Sequence, residues 1–151
     1  MFVNLPNSSV VAVIDRGQNQ MVDNWHETTP AGNFPMALDE RNNRLFVGFR
    51  NPGRLIVFNV VDGAVVANLP IVSDTDDLFY DSVRHVIYVI GGGGFLDVFR
   101  QMDADHYALI SRVSTSAGAR TGLFAPSLNR LFVAAPQRES EPARILVYRL
   151  D

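Results

Sequence analysis

Four short apolar runs recur along the chain at nearly constant intervals, and this repeat limits the fold more than any other feature. The runs are Met1–Asn4, Leu45–Gly48, Val86–Val89 and Leu131–Ala134. When Phe2, Phe46, Ile87 and Phe132 are taken as equivalent, they lie 44, 41 and 45 residues apart. A period of this length indicates one structural unit copied several times, each copy burying its apolar face against the next.

Each repeat contains further strand-like segments around the recurring run. Every run is followed by a loop rich in turn formers and then by a second apolar run. The loops are Pro6–Ser9, Asn51–Gly53, Gly91–Gly94 and Pro136–Pro142, and the second runs are Val10–Ile14, Leu55–Val60, Phe95–Phe99 and Ile145–Tyr148. Further segments precede the last three cores (Phe34–Asp39, Asp77–Asp81, Thr121–Pro126) or follow the second runs (Ala64–Leu69, Tyr107–Val113). Asp62-Gly63, before Ala64, suits a type I′ hairpin turn.

Four antiparallel strands per repeat of this length are typical of one β-propeller blade. The strands are rich in β-branched and aromatic residues, as expected where neighbouring blades cover both faces. We therefore predict an all-β fold, a single-domain β-propeller fragment of about 3.5 four-stranded antiparallel blades at approximately residues 1-27, 33-71, 75-113 and 120-151. A short helix over Gln101–Val113 is the alternative for one segment, but its Val-rich counterpart Gly63–Leu69 favours a strand.

The order of these motifs resembles the YVTN-type repeat of bacterial β-propellers, which are often called YncE-like. The motifs are Phe2–Asn4 with Val11–Asp15, and Phe46–Gly48 with Ile56–Asn59 and Val65–Pro70. The resemblance covers essentially the whole chain. It implies a propeller fold but says almost nothing about activity.

The strand count predicts an incomplete ring. The predicted strands start at the second strand of one blade and end after the third strand of another. The resemblance to YVTN-type propellers implies the C-terminal half of a seven-bladed propeller. Terminal repeats need polar outer faces, but Val10–Ile14 and Ile145–Tyr148 are apolar. We therefore expect a homo-oligomer, most simply a dimer, or a missing half supplied by another chain. A four-bladed monomeric ring is the alternative.

The loops that enter the innermost strands are expected to surround one mouth of the central channel. Asp74, Asp76 and Asp77 form the densest charge cluster, and Arg120 lies in the related loop of the next repeat. The three carboxylates could ligate Ca²⁺ or Mg²⁺, or Arg120 could bind a carboxylate or phosphate. The EF-hand spacing does not occur, which favours a solvated loop with capping aspartates and with Arg120 paired across blades.

Two further residues, Asn33 and His26, are candidates for ligand binding at the same mouth. His26 stands beside Trp25 in a loop of the expected rim. The spacings to His85 and His106 lack the pattern of a zinc site.

Composition narrows the classes of partner. A formal net charge of −3 disfavours nucleic-acid binding. All 13 basic residues are Arg and no Cys is present, so lysine Schiff-base chemistry and thiolate chemistry are excluded. No apolar run is long enough for a membrane span. Met1–Pro6 does not have the pattern of a signal peptide, and the compartment stays open, although the resemblance implies frequent export.

These observations favour a non-enzymatic binding or scaffold module with no assigned catalytic residue. No cofactor is predicted, with Ca²⁺ or Mg²⁺ kept as an option. The alternatives are a propeller hydrolase or lactonase that uses Asp76, Asp77 and Arg120 around a divalent cation, and a truncated or engineered half-propeller without activity of its own. Fold alone does not choose among them.

Overall fold

The computed structural model describes residues 1–27, 29–138 and 141–150. Within these ranges, fourteen strands form four antiparallel sheets, and one 3-10 turn spans Pro126–Leu128. The sheets contain three, four, four and three strands. The predicted all-β propeller fragment of about 3.5 blades is thereby confirmed. Residues 139 and 140 of the predicted loop Pro136–Pro142, and residue 151 of the predicted last blade, lie outside the described residues.

The strands pair in sequence order within each blade. The first blade consists of β1 (Phe2–Leu5), β2 (Val10–Asp15) and β3 (Gln20–His26). The second consists of β4 (Ala31–Asp39), β5 (Arg44–Asn51), β6 (Gly53–Asn59) and β7 (Val65–Pro70). The third consists of β8 (Thr75–Asp81), β9 (Val86–Gly91), β10 (Phe95–Gln101) and β11 (Tyr107–Ser114). The last consists of β12 (Thr121–Ala125), β13 (Arg130–Ala135) and β14 (Arg144–Arg149).

Irregularities in strand pairing show which strand positions the first blade contains. In the complete blades, the third and fourth strands shift register after Val57 and after Val98. The first blade shows the same shift after Val13, between β2 and β3. A bulge at an equivalent place marks equivalent strands. Thus β1, β2 and β3 occupy the second, third and fourth positions of a blade.

A repeated turn joins the first and second strands of the other three blades. Asn43, His85 and Asn129 each have φ of 56° immediately before the second strand. This left-handed conformation favours Asn and, less strongly, His. In two of the turns, Asp39 and Asp81 accept the backbone N–H three residues later, at 3.3 and 3.0 Å. The described part of the last blade therefore holds the first, second and third strand positions.

The same turn corrects the repeat register predicted from sequence. In the third blade, the residue equivalent to Phe46 is Tyr88, not Ile87, because each lies three residues after the left-handed residue of its turn. Ile87 packs towards the second blade with Phe46, whereas Tyr88 packs towards the last blade. Since a shift of one residue moves a side chain to the opposite face of a sheet, the equivalence of Ile87 was wrong. The corrected series is Phe2, Phe46, Tyr88 and Phe132, with intervals of 44, 42 and 44 residues.

Three apolar layers fill the spaces between the blades. Val11, Trp25, Val47, Phe49 and Phe58 lie in the layer between the first and second blades. Phe46, Val57, Leu78, Ile87 and Val89 lie between the second and third. Tyr88, Ile90, Leu96, Leu131 and Val133 lie between the third and last. Full burial of each large aliphatic or aromatic side chain stabilises the fold by about 1.5–3 kcal/mol, so these layers hold the blades together.

Two local predictions meet different outcomes. The predicted type I′ turn at Asp62-Gly63 is wrong: Asn59 N donates to Ala64 O at 2.8 Å, which closes a longer loop, and only Gly63 of the pair has positive φ, 72°. A type I′ turn needs positive φ at both central residues. The alternative helix over 101–113 is not found, because β11 occupies Tyr107–Ser114.

The two end blades each have one apolar face that no other sheet of the described chain covers. On the last blade this face consists of Leu123, Phe132, Ala134, Ile145 and Val147, which we call the last-blade face. Leu123 is 61% exposed, Ile145 60% and Val147 56%. The opposite side of the same sheet packs on the third blade.

The corresponding face of the first blade is the first-blade face. It consists of Val3, Leu5, Val10, Ala12 and Ile14, of which Leu5 is 40% exposed and Ala12 is buried. The alternate residues Phe2, Val11 and Val13 pack towards the second blade. At the equivalent positions of the third blade, Val89 and Phe99 are buried against the second blade. Both end faces therefore occupy positions that are interior wherever the chain supplies the adjacent blade, which follows the last-blade face and precedes the first-blade face.

Candidate functional site

Three equivalent points, where the chain enters the first strand of a blade, form the end of the blades at which the sequence predicts the rim of a channel mouth. The first residue at each point has positive φ: Gly32 at 74°, Asp74 at 54° and Gly118 at 80°. The second is fully buried at all three points: Asn33, Thr75 and Ala119. The third residue is partly exposed: Phe34, Asp76 and Arg120. The backbone therefore presents one side chain per blade at the predicted rim.

Four charged residues from three blades join at this rim, and we call them the rim cluster: Arg50, Asp74, Asp76 and Arg120. Arg120 Nη1 donates to both oxygens of Asp74, at 2.9 and 2.8 Å. Its Nε lies 3.3 Å from Asp76 Oδ2. Arg50, from the second blade, donates to the Asp76 carboxylate and to Thr75 O. The cluster thus links the second, third and last blades.

The rim cluster is balanced in charge and only partly buried. Its side chains are between 25% and 43% exposed. The Arg50 guanidinium also lies 3.6 Å from the ring centroid of Phe34, a cation–π arrangement. Each guanidinium is therefore held by carboxylates, while the arginine side chain stays partly exposed. This is the cross-blade pairing of Arg120 that the sequence favoured.

Asp77 has different surroundings from its two neighbours. Its Oδ2 accepts the backbone N–H of Gly122 at 2.6 Å. Burial raises the pKa of the Asp77 carboxyl; the Gly122 hydrogen bond opposes this effect and the charge of Asp76 adds to it. Asp77 therefore joins the third blade to the last, separately from the rim cluster.

The predicted metal ligands Asp74, Asp76 and Asp77 remain an untested prediction. In the part of the chain that the structure describes, no group of three His, Cys, Asp or Glu side chains is arranged to hold a metal ion. A cation at Asp74 and Asp76 would have to compete with the guanidinium groups of Arg50 and Arg120.

Asn33 lies inside the molecule, between the first and second blades. Its side chain is fully buried, and its Nδ2 donates to Asn4 Oδ1 at 2.9 Å and to Val10 O at 2.8 Å. Asn33 Oδ1 has no hydrogen-bond partner among the described residues. Asn33 therefore joins two blades beneath the rim.

The structure separates the histidines from the rim cluster. His26 is exposed at the end of β3, opposite Val10. His85 Nδ1 lies 3.3 Å from the Tyr80 hydroxyl, and His106 Nδ1 lies 2.9 Å from Asp103. Of the sequence candidates, the structure brings Asp74, Asp76 and Arg120 together and places His26 on the outermost strand of the first blade.

Arg50 is the rim residue that sequence reasoning missed. It lies one residue before the end of β5, the second strand of its blade, at the position where the later blades have Gly92 and Pro136. The repeat therefore gave no signal at this position. An Arg at the end of a strand, one blade before an Asp-rich loop, is the feature that could have identified it.

A second polar network joins two blades at the end of the strands opposite to the rim cluster. Asp39 is 3% exposed, and its Oδ2 accepts hydrogen bonds from Asn42 at 2.7 Å, Gln101 at 2.9 Å and Tyr80 at 3.2 Å. Burial alone would raise the pKa of Asp39, but the hydrogen bonds from Asn42, Gln101 and Tyr80 outweigh it and the pKa is lowered. Burial and the Asp39 charge raise the pKa of Tyr80. These contacts fix the second blade against the third.

Comparisons with known proteins support the fold and no finer assignment. No protein-family model matches the chain, and no curated protein matches it. The fold is similar to a chain in the structure of Kuenenia stuttgartiensis hydrazine synthase, with a TM-score of 0.82 at 12% identity. It is also similar to a chain of a mitotic checkpoint complex, with a TM-score of 0.76 at 15% identity.

The matched chains are longer than this one. The similarity covers 98% of this chain and 42% of the hydrazine synthase chain, and 96% of this chain and 44% of the checkpoint chain. The chain thus spans less than half the length of either. The neighbours are propeller folds, which agrees with the four-sheet architecture. Among the described residues, no helix has the length and apolar character needed to cross a bilayer.

Proposed function

We propose that this chain is a non-enzymatic binding and scaffold module that completes a propeller ring with a second copy of itself. The observation that carries this proposal is the pair of apolar end faces. The last-blade face is largely exposed, and its equivalents in the second and third blades are buried by the following blade. A large exposed apolar surface indicates an interaction site.

Two copies would cover all four faces through a two-fold axis. Each last-blade face would pack on the first-blade face of the other copy, which gives a ring of eight sheets. Such a closed arrangement leaves no apolar end, whereas one copy alone leaves two. The strand order and turns that resemble YVTN-type repeats support placing the module among those propellers.

The rim cluster would form the ligand-facing mouth of this ring. Its guanidinium groups are fixed in position and partly open, which suits a ligand that carries a carboxylate or phosphate. Titration with phosphate should change the amide chemical shifts of the loops at Asp74 and Arg120. In Arg120→Gln the perturbation should be lost, and unchanged shifts in the parent protein would contradict this role of the rim.

The mass in solution tests the proposed assembly. Light scattering should give twice the chain mass of 16.7 kDa. Val147→Asp should shift the population towards the monomer, because it places a carboxylate in the last-blade face. Val61→Asp is the control, since Val61 is 78% exposed in a turn outside both faces. A parent protein that is monomeric and does not bind a dye for exposed apolar surface would overturn the proposal.

A further inference from the structure

The third blade departs from the repeat at three positions around its first turn. These positions are the left-handed turn residue, the residue five places before it, and the residue whose backbone N–H donates to its carbonyl oxygen. The second and last blades have there, in this order, Asn43 and Asn129, Leu38 and Phe124, and Val60 and Leu150. The third blade has His85, Tyr80 and Gln101. Joint departures of this kind from the pattern of a fold are typical of a functional site.

The three side chains form one hydrogen-bonded chain with Asp39. The Tyr80 hydroxyl lies 2.6 Å from Gln101 Oε1, 3.2 Å from Asp39 Oδ2 and 3.3 Å from His85 Nδ1. Gln101 Nε2 donates to Asp39 at 2.9 Å, so Gln101 turns its carbonyl oxygen towards Tyr80. Asp39 is ionised at neutral pH, because its hydrogen bonds outweigh its burial and lower its pKa. A carbonyl oxygen and an ionised carboxylate only accept hydrogen bonds.

This arrangement fixes the tautomer of His85. The single hydroxyl proton of Tyr80 is directed to the acceptors on Gln101 and Asp39, so the hydrogen between Tyr80 and His85 must come from His85 Nδ1. In the neutral imidazole, Nε2 is then an acceptor. Nε2 has no hydrogen-bond partner in the described chain, and it is not one of the buried side-chain atoms that lack a partner there. His85 Nε2 is therefore accessible to a ligand.

His85 and Gln101 line a cavity of about 300 Å³ at the end of the strands opposite to the rim cluster. Its other walls are the turns after β4 and β10. These turns belong to the second and third blades, and they are held together by Arg44, which donates to Asp105 Oδ1 at 2.8 and 2.7 Å. The cavity is thus built by two blades and is large enough for a small ligand.

Arg41 supplies the available charge of this cavity. It lines the cavity, is exposed, and has no hydrogen bond or ion pair among the described residues. The carboxylate in the lining, Asp103, is already engaged: it accepts the backbone N–H groups of Asp105 and His106 at 2.9 and 3.0 Å and lies 2.9 Å from His106 Nδ1. Glu40 lines an adjoining cavity instead. A guanidinium without a partner suits a ligand that carries a carboxylate.

We propose that this cavity binds a small hydroxy acid, with the carboxylate on Arg41 and the hydroxyl group donating to His85 Nε2. Arg41 selects the anionic group. The tautomer that Tyr80 fixes selects a ligand that also brings a hydrogen-bond donor. The site is separate from the rim cluster and does not depend on the proposed two-copy ring.

Malate and succinate test the proposal, because they differ by one hydroxyl group. Malate added to the isotope-labelled protein should shift the amide signals of Asn42, His85 and residues 101–104 and reach saturation. Succinate should bind about tenfold more weakly, since it leaves His85 Nε2 without a donor. Equal affinities would overturn the proposal. Shifts confined to the loops at Asp74 and Arg120 would overturn this site and leave the rim.

His85→Asn removes Nε2 and keeps the turn, because Asn has the same conformation in two other blades. This variant should bind malate no better than succinate. Arg41→Gln should weaken the binding of both acids at least about tenfold. Arg16→Gln makes the same change of charge in an exposed turn of the first blade, outside the cavity, and should leave both affinities unchanged. Equal losses in the two Arg variants would show non-specific attraction and overturn the site.

Tyr80→Phe tests the positioning role of Tyr80 and introduces the side chain that the last blade has at this place. Without the hydroxyl, the His85 tautomer is no longer fixed. The preference for malate over succinate should therefore fall, while the affinity for succinate stays close to that of the parent. An unchanged preference in Tyr80→Phe, or in His85→Asn, would overturn the assignment of His85 Nε2 as the group that binds the hydroxyl.

Discussion

At the scale of single residues, neighbouring aspartates of the rim have different tasks. Asp76 joins two guanidinium groups and is a member of the rim cluster. Asp77, the next residue, is partly buried and accepts one backbone N–H from Gly122. Successive side chains of a strand point to opposite faces of the sheet, so neighbouring residues contact different blades. The adjacent carboxylates therefore differ in electrostatic environment.

Replacing Asp77 with Asn should keep or slightly raise the stability at neutral pH. The raised pKa means that the ionised carboxyl costs folding free energy, and this cost disappears as the pH falls through the raised pKa. The amide oxygen of Asn can still accept the Gly122 N–H. Thermal unfolding across this pH range should show the largest gain of Asp77→Asn at neutral pH and a smaller gain in acid. A constant difference would contradict the assignment.

The buried carboxylate of Asp97 has a structural role that the exposed Asp105 does not share. Asp97 is fully buried, accepts two hydrogen bonds from Arg112 at 2.6 and 2.7 Å, and accepts the Val72 N–H at 2.7 Å. Val72 belongs to the loop that connects the second and third blades. One buried side chain therefore anchors the connection between two blades.

Asp97→Ala should lower the free energy of unfolding by about 1–3 kcal/mol, because it leaves the Val72 N–H without its partner. Asp105→Ala removes the pair between Arg44 and Asp105, whose carboxylate is 48% exposed, and should cost less, because Arg44 keeps its hydrogen bonds to the backbone carbonyls of Asn42 and Asn43. Urea unfolding of both variants measures the difference. Equal losses would show that Asp97 does not anchor the loop.

At the scale of elements, the repeated turn sets the register of each blade. Asn43, His85 and Asn129 share one left-handed conformation. Asn43→Ala should lower the free energy of unfolding by about 1–2 kcal/mol. Ala keeps the Cβ that disfavours the left-handed conformation but lacks the polar group of Asn that compensates for it. Asn43→Gly, in the same turn, should stay close to the parent. Denaturant unfolding of the two variants compares them, and similar losses in both would exclude backbone conformation as the cause.

Strand positions could be predicted from sequence because apolar runs and turn formers alternate with a fixed period. The register of the second strand in the third blade could not be predicted from sequence. Val86–Ile90 is apolar at every position, so hydropathy does not distinguish the face of Ile87 from that of Tyr88. The position of His85 in the turn decides it, and His is a weak turn signal. The hairpin at Asp62-Gly63 failed because the loop closes at Asn59 and Ala64.

The rim was partly predictable for a similar reason. Asp76 and Arg120 stand at the same place in successive repeats, and Asp74 lies two residues before Asp76, so the period brings all three to one end of the blades. Arg50 lies in a different strand, and only the fold shows that it reaches Asp76. Asn33 shares the repeat position of Thr75, which is fully buried. Position in a repeat therefore predicted which blades meet but not which side chains are buried.

At the scale of the whole molecule, the described blades form a stack with two apolar ends. Each interior layer is built from both blades that face it, and each end face has only one of the two sets. The last-blade face carries one half of such a layer, and the first-blade face carries the other half. In the assembly that we propose, a second copy would supply both halves at once, which is why the assembly is central to the proposed function.

Cross-linking between the two faces tests this closure most directly, because the chain contains no Cys. Val3 corresponds to Val89 and Val147 to Val57, which lie together in the layer between the second and third blades. When Val3→Cys and Val147→Cys proteins are mixed, a short bismaleimide should join one chain of each kind. Links only between identical variants, or no link at all, would contradict head-to-tail closure of the ring.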